Sequence, residues 1–217
     1  LLQVINEILD LSRIEAGRHE LQEAALDIGD IVEDCIRLLQ LRAKSKSIEI
    51  VADVDRAMPL LWADERALRQ IGLNLIGNAI KFTPHGGRVI VRAGVTPTGE
   101  ARLSIIDNGP GIPADELPRV MQAFGQGSLA HRTAEGGSGL GLPIVRSLAE
   151  LHGGTFTLRS EVRQGTEAIV LLPRERVLMP VAPLQPLGEE RHGRHPRAWL
   201  RPQRAAGSPV SRALRAP

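Results

Sequence analysis

The sequence predicts an α/β fold: a two-layer α/β sandwich in which helices cover one face of a mixed β-sheet, preceded by one helix of a helical bundle. Alternating apolar residues form two hairpin-like pairs of strands, 88–96 with 101–106 and 155–160 with 167–172. Elsewhere apolar residues recur at helical spacing, without a strict alternation of strands and helices. This order favours a mixed sheet over a doubly wound parallel sheet.

The composition indicates a soluble globular protein of one or two domains, because 42% of the 217 residues are hydrophobic and 24% are charged. These values exclude fibrous and wholly disordered proteins. The single cysteine, Cys35, excludes a disulfide framework, and the sequence has no Cys/His spacing typical of a structural zinc site. We therefore expect a cytoplasmic fragment of a longer protein, with anchoring of that parent in the inner membrane left open.

The N-terminal residues 1–16 carry a wide apolar stripe, which is typical of a helix that packs in a bundle. Gly17 is the residue type that commonly follows the end of a helix. Residues 17–26 are expected to form a polar linker. Asp27 then has the side chain of a helix N-cap, and Cys35 falls on the apolar face of the helix that follows.

Further elements complete one predicted domain over residues 27–173. Alternating residues predict a strand at 47–54, and apolar spacings of three and four predict helices over 64–83, 114–121 and 140–152. These helices are expected to provide the helical layer of the sandwich.

Residues 174–217 differ sharply from the rest in composition. They contain nine arginines and three glutamates, a formal charge of +6, together with seven of the 15 prolines. Such a segment cannot bury a core, so we predict a disordered tail. Because recognisable binding modules are absent from it, a solvated tail is favoured over a surface for nucleic acid or membrane, and no nucleic-acid partner is expected.

Three polar side chains, Asn74, Asn78 and Lys81, share one stripe of the predicted helix 64–83, apart from the apolar stripe that explains its packing. A solvated face and a functional site both fit this pattern. Asparagine is a mediocre helix former and an unusual filler for a solvated stripe. Taken alone, the stripe supports either interpretation equally.

Two glycine-rich segments follow. Asp107-Asn-Gly-Pro-Gly-Ile112 comes directly after a predicted strand, where an ordinary turn is the favoured interpretation and the rim of a small-molecule pocket is the alternative. Gly136-Gly-Ser-Gly-Leu-Gly-Leu142 leads into the helix 140–152, and a helix N-terminus with free N–H groups suits phosphate. It lacks the ending of a Walker A loop and the preceding strand of a Rossmann turn.

The order of these motifs is more specific than any one of them. Asn74-Leu-Ile-Gly-Asn-Ala-Ile-Lys-Phe-Thr-Pro84, Asp107-x-Gly-x-Gly111, Phe124, Gly137-x-Gly-Leu-Gly141 and Gly165-Thr166 resemble the N, G1, F, G2 and G3 boxes of the histidine-kinase catalytic and ATP-binding domain. That domain belongs to the superfamily of gyrase, histidine kinase, heat-shock chaperone and mismatch-repair ATPases. The resemblance covers 27–173. Residues 1–16 resemble the second helix of the dimerisation and phosphoacceptor domain.

The resemblance implies an ATP site beneath a mobile lid at about 122–138. Asp107 would accept a hydrogen bond from the adenine amino group, Asn78 would bind Mg²⁺ through its side-chain oxygen, and Asn74 and Lys81 would contact the phosphates, with Arg132 reaching them from the lid. The remaining site residues that it implies are Phe82, Gly109, Gly111, Ile112, Phe124, Gly137, Gly139, Leu140, Gly141, Leu142 and Thr166.

The resemblance also implies a reaction and partners. The γ-phosphoryl group of ATP would pass to a histidine of the parent chain's dimerisation and phosphoacceptor domain, and then to the receiver domain of a response regulator. The parent would be a homodimer. Asn74 stands where hydrolysing relatives carry a glutamate, which favours transfer over hydrolysis. None of the six histidines has the acceptor setting, so we interpret all of them as surface or loop residues: His19, His85, His131, His152, His192 and His195.

Other functions remain compatible with the motifs. A topoisomerase-like or mismatch-repair-like ATPase would turn over ATP without an acceptor. A degenerate, non-catalytic interaction module would bind a partner through residues 1–16 and would not bind nucleotide. A protein-serine kinase of the anti-sigma type would share the ATP fold but normally lacks such a bundle helix.

Overall fold

The structure, a computed structural model, describes Ile5, Glu7–Leu9, Ser12 and the ranges 20–55, 57–128 and 137–178. Arg132 and the segment 179–217 lie outside these residues, and so does most of the range 1–19. Within the predicted N-terminal helix, the five described residues are helical. Among the described residues, no helix has both the length and the apolarity needed to cross a membrane.

The larger sheet has five strands in the order β2-β4-β5-β7-β6. Only β2 and β4 pair in parallel, while the other neighbours are antiparallel. The predicted mixed sheet and its two hairpin-like pairs are therefore confirmed. The alternation of apolar residues was a good predictor because successive side chains of a strand point to opposite faces of the sheet. The strands are β2 Glu49–Val54, β4 Arg88–Val95, β5 Ala101–Asp107, β6 Thr155–Glu161 and β7 Gly165–Leu172.

Within the described ranges 20–55, 57–128 and 137–178, four α-helices accompany this sheet: α1 Ile28–Ser45, α2 Glu65–Phe82, α3 Leu117–Val120 and α4 Gly141–Leu151. Helix α2 lies at the centre of the helical layer, where it contacts α1, α4 and strand β5. Its N-cap, Asp64, accepts a hydrogen bond from the backbone N–H of Ala67 at 3.0 Å. At the other end of α2, the Lys46 amine donates to the carbonyls of Ile80 and Lys81 at 3.0 and 2.6 Å. It thereby provides hydrogen bonds to carbonyl groups in the last turn of the helix.

Cys35 packs where α1 meets α2, and it is fully buried. Burial raises the pKa of its thiol to about 11. A Cβ on Gly72 would lie 2.8 Å from its sulfur, so a glycine is needed at this crossing of the two helices. The prediction of a core role for Cys35 is confirmed.

A second, three-stranded sheet was not predicted. It has the order β1-β3-β8, with β1 Glu23–Leu26, β3 Leu60–Asp64 and β8 Val177–Leu178. Strand β1 lies within the predicted linker 17–26, and β8 follows a 3-10 helix at Arg174–Arg176, within the predicted tail. These pairings correct the predicted end of the linker at 26 and the predicted start of the tail at 174. Such short strands are stabilised by partners distant in sequence rather than by their own residues, so the sequence did not reveal them.

His152, predicted to lie on the surface or in a loop, is instead 1% exposed. Its Nε2 accepts a hydrogen bond from the Asp64 backbone N–H at 3.2 Å, so Nδ1 carries the proton and donates to the Leu148 carbonyl at 2.7 Å. Burial lowers the pKa of this imidazole. His152 is therefore a neutral core residue that joins the end of α4 to strand β3.

Arg176 links the small sheet to the same point. Its guanidinium donates to a Glu23 carboxylate oxygen at 2.7 Å, to the Trp62 carbonyl at 2.8 Å and to the His152 carbonyl. The Trp62 indole N–H donates to the same carboxylate at 3.1 Å. These hydrogen bonds, that from Arg176 above all, hold the pKa of Glu23 below its ordinary value although burial opposes this. Residues before and after the predicted domain are therefore joined to it.

Candidate functional site

A cavity of about 640 Å³ lies between α2, the larger sheet, the loops on either side of α3 and the start of α4. Its volume is in the range typical of small-molecule sites. Three apolar side chains form part of its floor: Ile105, Ala168 and Leu158. They come from β5, β7 and β6 at matching register positions, so the pleat points all three to one face.

Asp107, the last residue of β5, lies half-buried in the cavity wall. Burial raises the pKa of its carboxyl, although hydrogen bonds from the backbone N–H groups of Gly109 and Thr166 act in the opposite direction. The contact with Gly109 measures 2.8 Å. A half-buried carboxylate with this environment is suited to accept a hydrogen bond from a neutral N–H donor of a ligand.

The backbone around Asp107 is packed so closely that two positions require glycine. Gly165 has a φ of 110°, and a Cβ there would lie 1.9 Å from the Asp107 carbonyl oxygen. Gly111 has a φ of 71°, and its Cβ would lie 2.0 Å from the Glu161 carbonyl oxygen. These two glycines therefore let the loop after β5 lie directly against the hairpin of β6 and β7.

Asn74, Asn78 and Lys81 line the same cavity from helix α2. The segment that precedes α4 covers them. A Cβ on Gly141 would lie 3.5 Å from the Asn74 amide oxygen, and one on Gly137 would lie 2.8 Å from the Lys81 amine. The stripe on α2 and the second glycine-rich segment, at least 55 positions apart in sequence, therefore meet at one wall.

Helix α4 begins at this wall without a capping side chain. Leu140 occupies its N-cap position, and no acidic residue lies in its first turn. Gly141 and Leu142, its first two residues, line the cavity. An uncapped helix N-terminus next to a lysine attracts anions, so this part of the cavity is suited to a phosphate group.

Most of the predicted site residues are brought together here. Those that line the cavity are Asn74, Asn78, Lys81, Phe82, Asp107, Gly111, Ile112, Gly137, Gly139, Gly141, Leu142 and Thr166. Leu140 is instead fully buried in the core, Phe124 is 62% exposed, and Gly109 contributes only its N–H to Asp107. Arg132 lies outside the described residues, so its predicted contact stays a prediction.

Several residues of the site were missed by the sequence analysis. Ser160 accepts a hydrogen bond from the Ile112 N–H and lies 2.8 Å from the Thr166 hydroxyl, so it joins both loops at the Asp107 end. Gln126 donates to the Gly137 carbonyl at 2.7 Å. The pair of glycines on either side of Gln126 was a signal for close packing, whereas nothing local marked Ser160. Glu7 and Arg42 also line the cavity.

The described residues contain no group of three or more His, Cys, Asp or Glu side chains that could hold a metal ion. Asn78 offers an amide oxygen at the anion-binding wall. A single oxygen ligand fits a hard cation such as Mg²⁺, which commonly takes one or two protein ligands and completes its coordination with phosphate oxygens and water. It does not fit a metal held by a full protein cage.

Comparison with known proteins agrees with this geometry. Residues 63–176 match the family model described as histidine kinase-, DNA gyrase B- and HSP90-like ATPase. An uncharacterized sensor-like histidine kinase of Rhizobium meliloti is 41% identical over 175 residues, covering 81% of this chain and 33% of that protein. The histidine protein kinase DivJ of Caulobacter vibrioides is 39% identical over 173 residues, covering 80% of this chain and 29% of DivJ.

A solved structure gives the same result. Full-length ShkA in complex with AMPPNP is 37% identical with a TM-score of 0.73, and the match covers 84% of this chain and 37% of ShkA. The chain thus spans about a third of the length of these relatives. Because the family model covers more than half of the 217 residues and includes both walls of the cavity, the chain belongs to the family of histidine kinase-, DNA gyrase B- and HSP90-like ATPases.

Proposed function

We propose that this chain is the ATP-binding catalytic region of a two-component sensor histidine kinase. It binds ATP and transfers the γ-phosphoryl group to a histidine outside these 217 residues, from which the group passes to an aspartate of a response regulator. The observation that carries the proposal is one cavity lined by a carboxylate, two asparagines, a lysine and an uncapped helix N-terminus.

The Asp107 end suits adenine. The exocyclic amino group of adenine is a neutral donor, and a carboxylate held by backbone N–H groups can accept its hydrogen bond. Ile105, Ala168 and Leu158 supply an apolar surface for the base. The solved complex of the similar protein ShkA with AMPPNP supports a nucleotide as the ligand.

The wall formed by α2 and the start of α4 suits the triphosphate. Lys81 and the first N–H groups of α4 provide positive charge, and Asn74 lines the same wall with a side-chain amide whose N–H groups can donate to phosphate oxygens. Asn78 would hold Mg²⁺ together with those oxygens. When bound, the metal would neutralise the charge that develops during phosphoryl transfer. The protein's own contribution is to orient the chain of phosphates and to exclude water from it.

Asn74 also bears on the type of reaction. Hydrolysis requires a general base that activates water, and an amide cannot accept a proton at neutral pH. No carboxylate shares the helical stripe of Asn74, Asn78 and Lys81, and Glu7 and Glu116 line the cavity from other segments. We therefore infer transfer to a histidine rather than rapid hydrolysis, with the dimerisation and phosphoacceptor domain of a homodimeric parent and a receiver domain as partners.

The proposal is tested by calorimetric titration of the chain with a non-hydrolysable ATP analogue, first with Mg²⁺ and then with a chelator. We expect saturable binding that Mg²⁺ strengthens. Absence of binding under both conditions would rule out the proposed function and favour a non-catalytic module. Release of phosphate from ATP at a rate typical of enzymes, about 1 s⁻¹ or more, would favour an ATPase instead.

The metal contact has its own test. Replacing Asn78→Ala should weaken binding of the analogue mainly when Mg²⁺ is present, because the substitution removes the oxygen that would bind the metal. An equal loss in chelator would show that Asn78 contacts the nucleotide directly and not through Mg²⁺.

A further inference from the structure

Glu7 lines the cavity and has no role in the proposed function. It belongs to the helical residues before the domain, yet its carboxylate accepts a hydrogen bond from the Ser138 hydroxyl at 2.5 Å, across 131 positions of sequence. Ser138 in turn accepts a hydrogen bond from the Leu140 N–H at 3.2 Å. The carboxylate is therefore connected to the backbone immediately before α4.

The Glu7 carboxylate lies at the wall of the cavity that is suited to anions, formed by Lys81 and the start of α4. Glu7 and Ser138 both line it, and Gly137 next to Ser138 is the residue whose Cβ would lie 2.8 Å from the Lys81 amine. An anion at the N-terminus of an eleven-residue helix is stabilised by the helix dipole. The Glu7 side chain is thus an anion next to the wall that is suited to phosphate.

We infer that Glu7 is a determinant of nucleotide specificity: its carboxylate competes with the terminal phosphate of ATP, so that the site with this contact formed favours ADP over ATP. The inference rests on the proposed function. ADP ends one phosphate earlier, so it brings less negative charge to the Glu7 end of the cavity. Binding of ATP requires the Glu7 contact with Ser138 to open, whereas binding of ADP does not.

The coupling acts in both directions. If the contact weakens ATP binding by some factor, ATP must weaken the contact by the same factor. Occupancy by ATP would therefore release the helical residues around Glu7 from the start of α4. The phosphoryl donor itself would then control whether the preceding helix is held against the domain.

The test compares Glu7→Gln with the unchanged chain by calorimetric titration with a non-hydrolysable ATP analogue and with ADP, both with Mg²⁺. Glutamine keeps the shape and the ability to accept from Ser138 but removes the charge. We expect affinity for the ATP analogue to rise by about five-fold and affinity for ADP to change by less than about two-fold. The matched control is Glu33→Gln on the exposed face of α1, which should alter neither.

Other outcomes overturn the inference in distinguishable ways. If the unchanged chain binds both nucleotides and Glu7→Gln leaves their ratio the same, the inference fails while the proposed function stands. If Glu7→Gln weakens binding of the ATP analogue with Mg²⁺ but not in a parallel titration with a chelator, Glu7 is a metal ligand rather than a competitor. If neither form of the chain binds either nucleotide, the proposed function and the inference fail together.

Discussion

The cavity and the three-stranded sheet belong to the same domain but use polar side chains in opposite ways. At the cavity, Asp107, Asn74 and Asn78 face a space large enough for a ligand. At the small sheet, His152 and Arg176 make their hydrogen bonds within the protein. The polar side chains of the cavity are therefore available to bind a ligand, whereas those of the small sheet stabilise the fold. Substitutions should therefore affect one property and spare the other, and four experiments test this separation.

The largest effect is expected for His152→Ala. The substitution leaves a cavity in the core and removes the side-chain hydrogen bonds with the Asp64 N–H and the Leu148 carbonyl, so the free energy of unfolding should fall by about 3 kcal/mol. Affinity for an ATP analogue should change by less than about two-fold where the protein is folded. Urea unfolding followed by circular dichroism measures the first quantity. His85→Ala at an exposed site is the control, and an equal effect of both variants would contradict the core role.

Asp107→Asn should have the reverse profile. Affinities for ATP and ADP should both fall by about 30-fold, since both contain adenine and the amide presents a mismatched donor; this corresponds to about 2 kcal/mol. Stability should stay unchanged or rise, because burial already disfavours the charged carboxylate. Calorimetric titration and urea unfolding give the two values, with the exposed Asp115→Asn as control. A loss confined to ATP would exclude the adenine contact.

Arg176→Ala removes three hydrogen bonds from the small sheet and should lower the free energy of unfolding by about 1.5 kcal/mol. The Trp62 indole, which donates a hydrogen bond to Glu23 as Arg176 does, reports on this region by its fluorescence. Replacing Trp199→Phe beforehand removes the signal of the only other tryptophan. If Arg176→Ala changes nucleotide affinity as strongly as stability, the two regions are coupled and the comparison drawn above is wrong.

The smallest effect is expected from pH. Burial holds the pKa of His152 below the value of 6.5 for an exposed imidazole, so folding favours the neutral ring. The resulting stability is complete above pH 6.5 and is lost as the pH falls toward the folded-state pKa. Urea unfolding between about pH 7 and pH 5.5 should show a decline, because Asp64 and Glu23, with lowered pKa values, stay ionised there. An equally steep decline in His152→Gln would assign the dependence to other groups.

The sequence predicted one of these regions and missed the other for a physical reason. The walls of the cavity come from continuous motifs in which glycines and asparagines mark close backbone approach within a few residues, as at Gly111 and Gly165. The small sheet is made of strands of four, five and two residues, too short for a periodic signal. Its central ion pair joins Glu23 and Arg176, 153 positions apart. Only the folded chain reveals such a pairing.

The hydrogen bond from the Gln22 N–H to Asp64, at 2.7 Å, has a mechanical consequence. Asp64 caps α2, so a force that reaches the domain along the chain from its N-terminal side acts on the first turn of α2 at this bond. Helix α2 has 18 residues and is therefore about 27 Å long, with Lys81 near its far end. If α2 tilted by about 2° about its first turn, Lys81 would move by about 1 Å. A misplacement of about 1 Å in the reacting groups can lower a reaction rate by about a hundred-fold. A small tilt of α2 at Asp64 would therefore be enough to change the rate of a reaction at Lys81.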